Sequence, residues 1–192
     1  MVKAPVKIAL AGATGVIGRR HLKHILVESE TELAAIIDVD PAAPELAKTH
    51  GVPLFNDLEE FTSARKAGRC VAEAIILATP TQTHVPLARK LLEHDIAILI
   101  EKPVAVTGQD GRELIAACQS HENSVVMVGH HRRHNCYVRA IKKVVEGGKL
   151  GKIMAVNGVW TMRKSDEYFR VPWRQQAGAG GVVSVNEHDS LT

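Results

Sequence analysis

Short, continuous apolar runs alternate along this chain with longer stretches whose apolar residues recur every three or four positions. Runs of strand length occupy residues 6–11, 33–39, 74–78, 96–100 and 125–128, and residues 52–55 read as a short edge strand. Residues 16–28 set Ile17, Leu22, Ile25 and Leu26 at helical spacing. Further helices are predicted over 41–50, with Pro44 in the first turn, over 57–66, capped by Asp57, and over 83–94, capped by Thr81 or Thr83. Two more follow: 107–121, capped by Thr107, and 135–146, closed by Gly147 and Gly148. The strands are apolar throughout rather than apolar on alternate positions. That pattern predicts a doubly wound α/β fold with a parallel sheet buried on both faces. The strand C-terminal ends then share one edge, where open sheets of this kind bind ligands.

After Gly151 the texture changes. Residues 152–162 alternate like a strand of an open antiparallel sheet, a loop rich in Arg, Gly and Trp follows, and a last apolar patch occupies 182–185. This divides the chain into a first domain, 1–150, and the beginning of a second α/β domain, 151–192.

Composition narrows the function classes. Hydrophobic residues make up 45% and charged residues 23%, as in ordinary soluble domains. A net charge of +3 and an aromatic content of 4% argue against nucleic acid or a membrane surface as partner. No apolar run approaches the roughly 20 residues that span a bilayer, and the apolar start is too short for a secretory signal. Cys70, Cys118 and Cys136 are odd in number and lack paired spacing, so the expected compartment is the reducing cytoplasm.

The first strand runs into Gly12, Gly15 and Gly18, a G-x-x-G-x-x-G turn opening a helix, as in a Rossmann-type dinucleotide site. Gly12 allows a tight turn, Gly15 lets backbone approach a pyrophosphate, and Gly18 lets the helix lie close. The backbone of Gly12, Ala13, Thr14, Gly15, Val16 and Ile17 is therefore the candidate phosphate cradle. Asp38 ends the second strand, 20 residues after Gly18 (38 − 18). Its carboxylate can accept both adenosine ribose hydroxyls and repels a 2′-phosphate, which favours NAD over NADP. It can equally just begin the D-V-D-P turn. Arg19 and Arg20 can reach phosphate or simply face solvent.

At the next strand end stand Thr79, Pro80 and Thr81, with His84 in the first helical turn; these offer polar contacts to a cofactor, or form a plain capped turn. The run "IAILIEKPVAV" ends on Glu101, Lys102 and Pro103. A lysine there is either a solvated strand end or a reagent at the mouth of the cleft. In the second case its ammonium hydrogen-bonds a substrate hydroxyl or carbonyl oxygen during hydride transfer. In "GHHRRHN", His130, His131 and His134 have no Cys or acidic partner at ligand spacing, so no metal is expected.

The segments "GATGVIG", "AIILATPTQTHVPLARKLLEHDIAILIEKPVA", "VVMVGHHRRHN" and "GKLGKI" resemble the glucose–fructose oxidoreductase/inositol dehydrogenase/MocA family, in order and at the expected distances. The resemblance implies a Rossmann domain followed by an open antiparallel sheet domain, a nicotinamide cofactor, and a polyol, inositol, sugar or related hydroxy-compound as substrate. It implies catalysis by Lys102, a cis Lys102–Pro103 bond, and contact of Glu101 with the nicotinamide ribose. His131, Arg133, Tyr168, Trp173 and Arg174 become substrate contacts by the same resemblance. His188 is the candidate base, although Asn186 and His188 stand closer together than the family's pattern has them. Family members are longer than 192 residues, so a C-terminally truncated chain is expected. Either the chain is an NAD(P)-dependent oxidoreductase, or it is a non-catalytic dinucleotide-binding fragment; a complete second sheet would also supply a homo-oligomer interface.

Overall fold

The computed structural model describes residues 4–121, 124–159, 161, 163 and 165–170. Six strands pair in parallel in the order β3-β2-β1-β4-β5-β6: β1 Val6–Ala11, β2 Thr31–Ile37, β3 Leu54–Phe55, β4 Ala74–Leu77, β5 Ala97–Ile100 and β6 Val126–Val128. Strand order reverses between β1 and β4, which opens a crevice at the carboxyl ends of these strands. The connecting helices are α1 Val16–Val27, α2 Ala43–His50, α3 Leu58–Lys66, α4 Thr81–Leu91 and α5 Gly108–Gln119.

Burial on both faces explains the continuous apolar runs. Ile8 and Leu10 of β1 join Leu22 and Ile25 of α1 in one core cluster. Ala9 and Ala11 point the other way, into a second cluster with Phe61 of α3, Leu91 of α4 and Leu114 of α5. Caps fall where the side-chain chemistry puts them. Asp57 accepts from the Glu60 amide, Thr107 and Asp110 form a reciprocal capping box, and Asn135 accepts from the amides of Tyr137 and Val138.

Some boundaries move. β2 starts and ends two residues earlier than expected, because the Asp38 carboxylate turns the chain by accepting the Asp40 amide; Val39, apolar but beyond the sheet, is 81% exposed. α4 begins at Thr81 with Pro80 as N-cap, so neither Thr81 nor Thr83 caps it. The Thr83 hydroxyl instead donates to the Pro80 carbonyl, and residues Leu92–His94 continue as a 3-10 turn.

The chain divides into two units between Gly129 and His130. In the second, a 3-10 turn over His131–His134 leads to α6, Cys136–Glu146, and a short α7 spans Asp166–Phe169. The strand expected over 152–162 is corrected: residues 152–159 are neither strand nor helix, and Ile153, Met154, Val156 and Val159 are exposed. A strand is held by hydrogen bonds to a neighbour, and among the described residues no strand follows β6 to supply one.

Candidate cofactor site

The glycine turn is built by close backbone approach. Gly12 has φ +76°, and a Cβ there would stand 2.7 Å from the Ala78 carbonyl oxygen at the end of β4. A Cβ on Gly18 would stand 1.9 Å from the Gly12 oxygen, so α1 lies directly on the turn. Gly15 is the N-cap of α1 and has no side chain to cap with, and no acidic residue occupies the first turn. The helix thus presents amide N–H groups and the positive end of its dipole, the chemistry that holds phosphate. Ala13 is buried, whereas Gly15, Val16 and Ile17 are exposed on the open side. Arg19 folds back, its Nε donating to the Thr14 carbonyl at 3.0 Å, and so braces the turn.

Asp38 takes the turn role open to it in the sequence and also ties back to the glycine turn. One carboxylate oxygen accepts from the Thr14 amide at 2.9 Å and the Thr14 hydroxyl at 2.8 Å; the other accepts from the Asp40 amide at 3.0 Å. A carboxylate has about four acceptor positions, so one remains. A cleft of about 280 Å³ opens beside it, lined by Gly12, Asp38, Asn56, Leu58, Thr79 and Pro80 among others. The Lys90–Glu59 ion pair borders this cleft. The cleft therefore lies at the ends of β1, β2 and β4; Glu101 and Lys102, at the end of β5, do not line it.

His84 is not positioned to meet a ligand. It is 1% exposed, with Nδ1 2.9 Å from the Pro103 carbonyl oxygen and Nε2 2.8 Å from that of Thr79. It ties the loop after β5 to the loop after β4. Burial pulls its pKa below the ordinary value, outweighing the two carbonyls and the Glu101 charge that favour the cation. His84→Leu, which leaves both carbonyls without this partner, is expected to cost about 2–4 kcal/mol in urea unfolding. The folded state takes up the His84 proton at lower pH than the unfolded chain. Wild-type stability should therefore fall as pH drops from about 6.5 toward the lowered value, and His84→Leu should flatten that limb.

Lys102 precedes a cis peptide bond to Pro103, as the resemblance implied. Its amide donates to one oxygen of Glu101 at 3.0 Å, and the other Glu101 oxygen accepts from His21 Nε2 at 2.8 Å. Burial raises the Glu101 pKa, but the bonds from His21 and the Lys102 amide prevail and hold it below the usual carboxylate range. His21 was not singled out from the sequence. It is one histidine on a helix, 80 residues from its partner, and no local pattern marks it.

In the second unit His131 and Arg133 stand exposed on the 3-10 turn, and Tyr168 belongs to α7. Trp173, Arg174 and His188 lie outside the described residues. Among the described residues no three metal-ligating side chains converge, and no helix is long and apolar enough to cross a membrane.

Comparison with known proteins agrees with the fold. Inositol 2-dehydrogenase of Rhizobium meliloti (strain 1021) is 28% identical over 152 residues, covering 79% of this chain and 44% of the relative. The 2,7-anhydro-N-acetylneuraminate hydratase of Mediterraneibacter gnavus is 33% identical over 150 residues, covering 78% of this chain and 38% of the relative. The crystal structure of the WlbA dehydrogenase from Bordetella pertussis, in complex with NADH and UDP-GlcNAcA, superposes with a TM-score of 0.71 at 26% identity, over 80% of this chain and 43% of that one. The chain thus spans less than half the length of each of these three proteins. The sequence profile of the oxidoreductase family with an NAD-binding Rossmann fold matches residues 6–130, and the chain belongs to that family, which groups glucose–fructose oxidoreductase, inositol dehydrogenase and MocA.

Proposed function

We propose that this chain binds NAD across its strand ends and serves hydride transfer at a CH–OH group of a polyol, inositol or sugar-like compound. The observation that carries the reading is the glycine turn, whose Gly12 and Gly18 leave no room for a Cβ beside an uncapped helix N-terminus. The residues fit a dinucleotide. The turn and the first amides of α1 take the pyrophosphate, and the cleft beside Asp38 takes the adenosine. The remaining acceptor position of Asp38 binds a ribose hydroxyl, and its charge opposes a 2′-phosphate, which selects NAD over NADP.

When bound, the nicotinamide accepts or returns the hydride. Lys102, beyond the switch point, holds the substrate oxygen and stabilises its developing charge. A base takes the hydroxyl proton, and His188 is the candidate. His131, Arg133, Tyr168, Trp173 and Arg174 are the candidate substrate contacts. The substrate class follows the relatives, which are an inositol dehydrogenase, a 2,7-anhydro-N-acetylneuraminate hydratase and a dehydrogenase in complex with UDP-GlcNAcA, each associated with a polyol or sugar-like compound. The three free cysteines suit a reducing cytoplasm.

Calorimetric titration tests the cofactor half. NADH should bind with a Kd on the order of micromolar, and NADPH at least about tenfold more weakly. Equal affinities would remove Asp38 as the selector, and flat traces with both would remove the site. The cleft at the ends of β1, β2 and β4, which neither Glu101 nor Lys102 lines, favours a second reading, a dinucleotide-binding module without turnover. Turnover on a panel of inositols and sugars separates the two.

A further inference from the structure

We infer that His21 is a positioning residue for the nicotinamide end of the site, acting through Glu101. The inference rests on the reading of the strand ends as a dinucleotide site. His21 lies on α1, the helix whose first turn faces the phosphates, and its Nε2 donates to Glu101 at 2.8 Å. Glu101 sits at the end of β5, and its second oxygen accepts the Lys102 amide at 3.0 Å. The His21 and Glu101 side chains are only 20% and 15% exposed, so water replaces neither partner freely. Gly129 at the end of β6 completes the fit, since a Cβ there would approach Glu101 to 3.1 Å.

The physical consequence is a two-step tether. α1 fixes His21, His21 fixes the Glu101 carboxylate, and the carboxylate fixes the peptide that carries Lys102. The strand order puts this tether two strands from β1, on the side away from β2 and Asp38. A dinucleotide with its adenosine at β2 has its nicotinamide half on that side. Losing the tether should therefore weaken binding of a complete dinucleotide and leave its adenosine half alone.

The test compares NADH with ADP as titrants for the full chain, in wild type, His21→Phe and His21→Gln. Phe keeps a ring of similar shape without a donor, and Gln keeps an amide N–H near the position of Nε2. The expected result is an NADH Kd raised about tenfold in His21→Phe, an ADP Kd unchanged within about twofold, and recovery in His21→Gln. Equal weakening of NADH and ADP would reduce His21 to a structural support of α1 and overturn the inference. So would unchanged NADH affinity in His21→Phe. Should His21→Phe fail to fold, His21→Asn, whose amide reaches the position of Nδ1 and falls short of Glu101, carries the same contrast: a loss confined to NADH supports the tether, and a loss shared with ADP overturns it. Wild-type chain that binds neither NADH nor ADP overturns the parent reading and this inference with it; tight wild-type NADH binding with an indifferent His21→Phe overturns only the inference.

Discussion

Gly18→Ala is expected to abolish NADH binding, raising Kd at least about 100-fold, and to cost about 3 kcal/mol or more of stability. The added methyl would stand 1.9 Å from the Gly12 carbonyl oxygen and 2.8 Å from Ala13 Cα. Both atoms are backbone, so no flexible side-chain end can give way. Gly12 cannot retreat either, because its own Cα side already faces the Ala78 carbonyl. Relief comes only by lifting α1 off the turn, which also strains the two bonds from Thr14 to Asp38. Gly111→Ala in α5 is the control: a Cβ there meets nothing within 4 Å, and helix propensity predicts a gain of about 0.5–1 kcal/mol. Urea unfolding and NADH titration read both effects. Near-normal NADH affinity in Gly18→Ala would mean that the turn is not the phosphate cradle.

Lys102→Ala is expected to lower turnover on a polyol or sugar substrate by about 100- to 10,000-fold while NADH affinity stays within about twofold. The ammonium is assigned to the substrate oxygen and not to the dinucleotide, so its loss falls on the reacting state. The main chain at 102 keeps its bond to Glu101 in the variant, because that bond comes from the amide. A ground-state contact would instead raise KM and spare kcat. Loss of NADH affinity together with turnover would assign Lys102 to the frame of the site. Lys102→Arg should recover little, since a planar fork does not replace a compact cation at one oxygen.

The second unit shows where reading outruns packing. Residues 152–162 have a strand pattern, yet their described part forms none, because alternation specifies only which faces a strand would have. The partner that makes it a strand must come from elsewhere. α6 is similar: Tyr137, Val138, Ile141, Val144 and Val145 form an apolar stripe at helical spacing, and all are exposed. By contrast β1, β4 and β5 formed where their apolar runs stood, since each finds neighbours within the first unit.

By itself the sequence determined the parallel sheet, the caps of α3 and α5, and the glycine turn. Each of these is encoded over a few adjacent residues, as a period, a cap or a fixed glycine spacing. The tertiary structure alone decided what the side chains at the strand ends do. Asp38 closes on Thr14, His84 is spent on two carbonyls, and His21 reaches Glu101 across 80 residues. Those pairings depend on which strand lies beside which, and hydrogen bonds between residues so far apart in the chain leave no periodic trace in it.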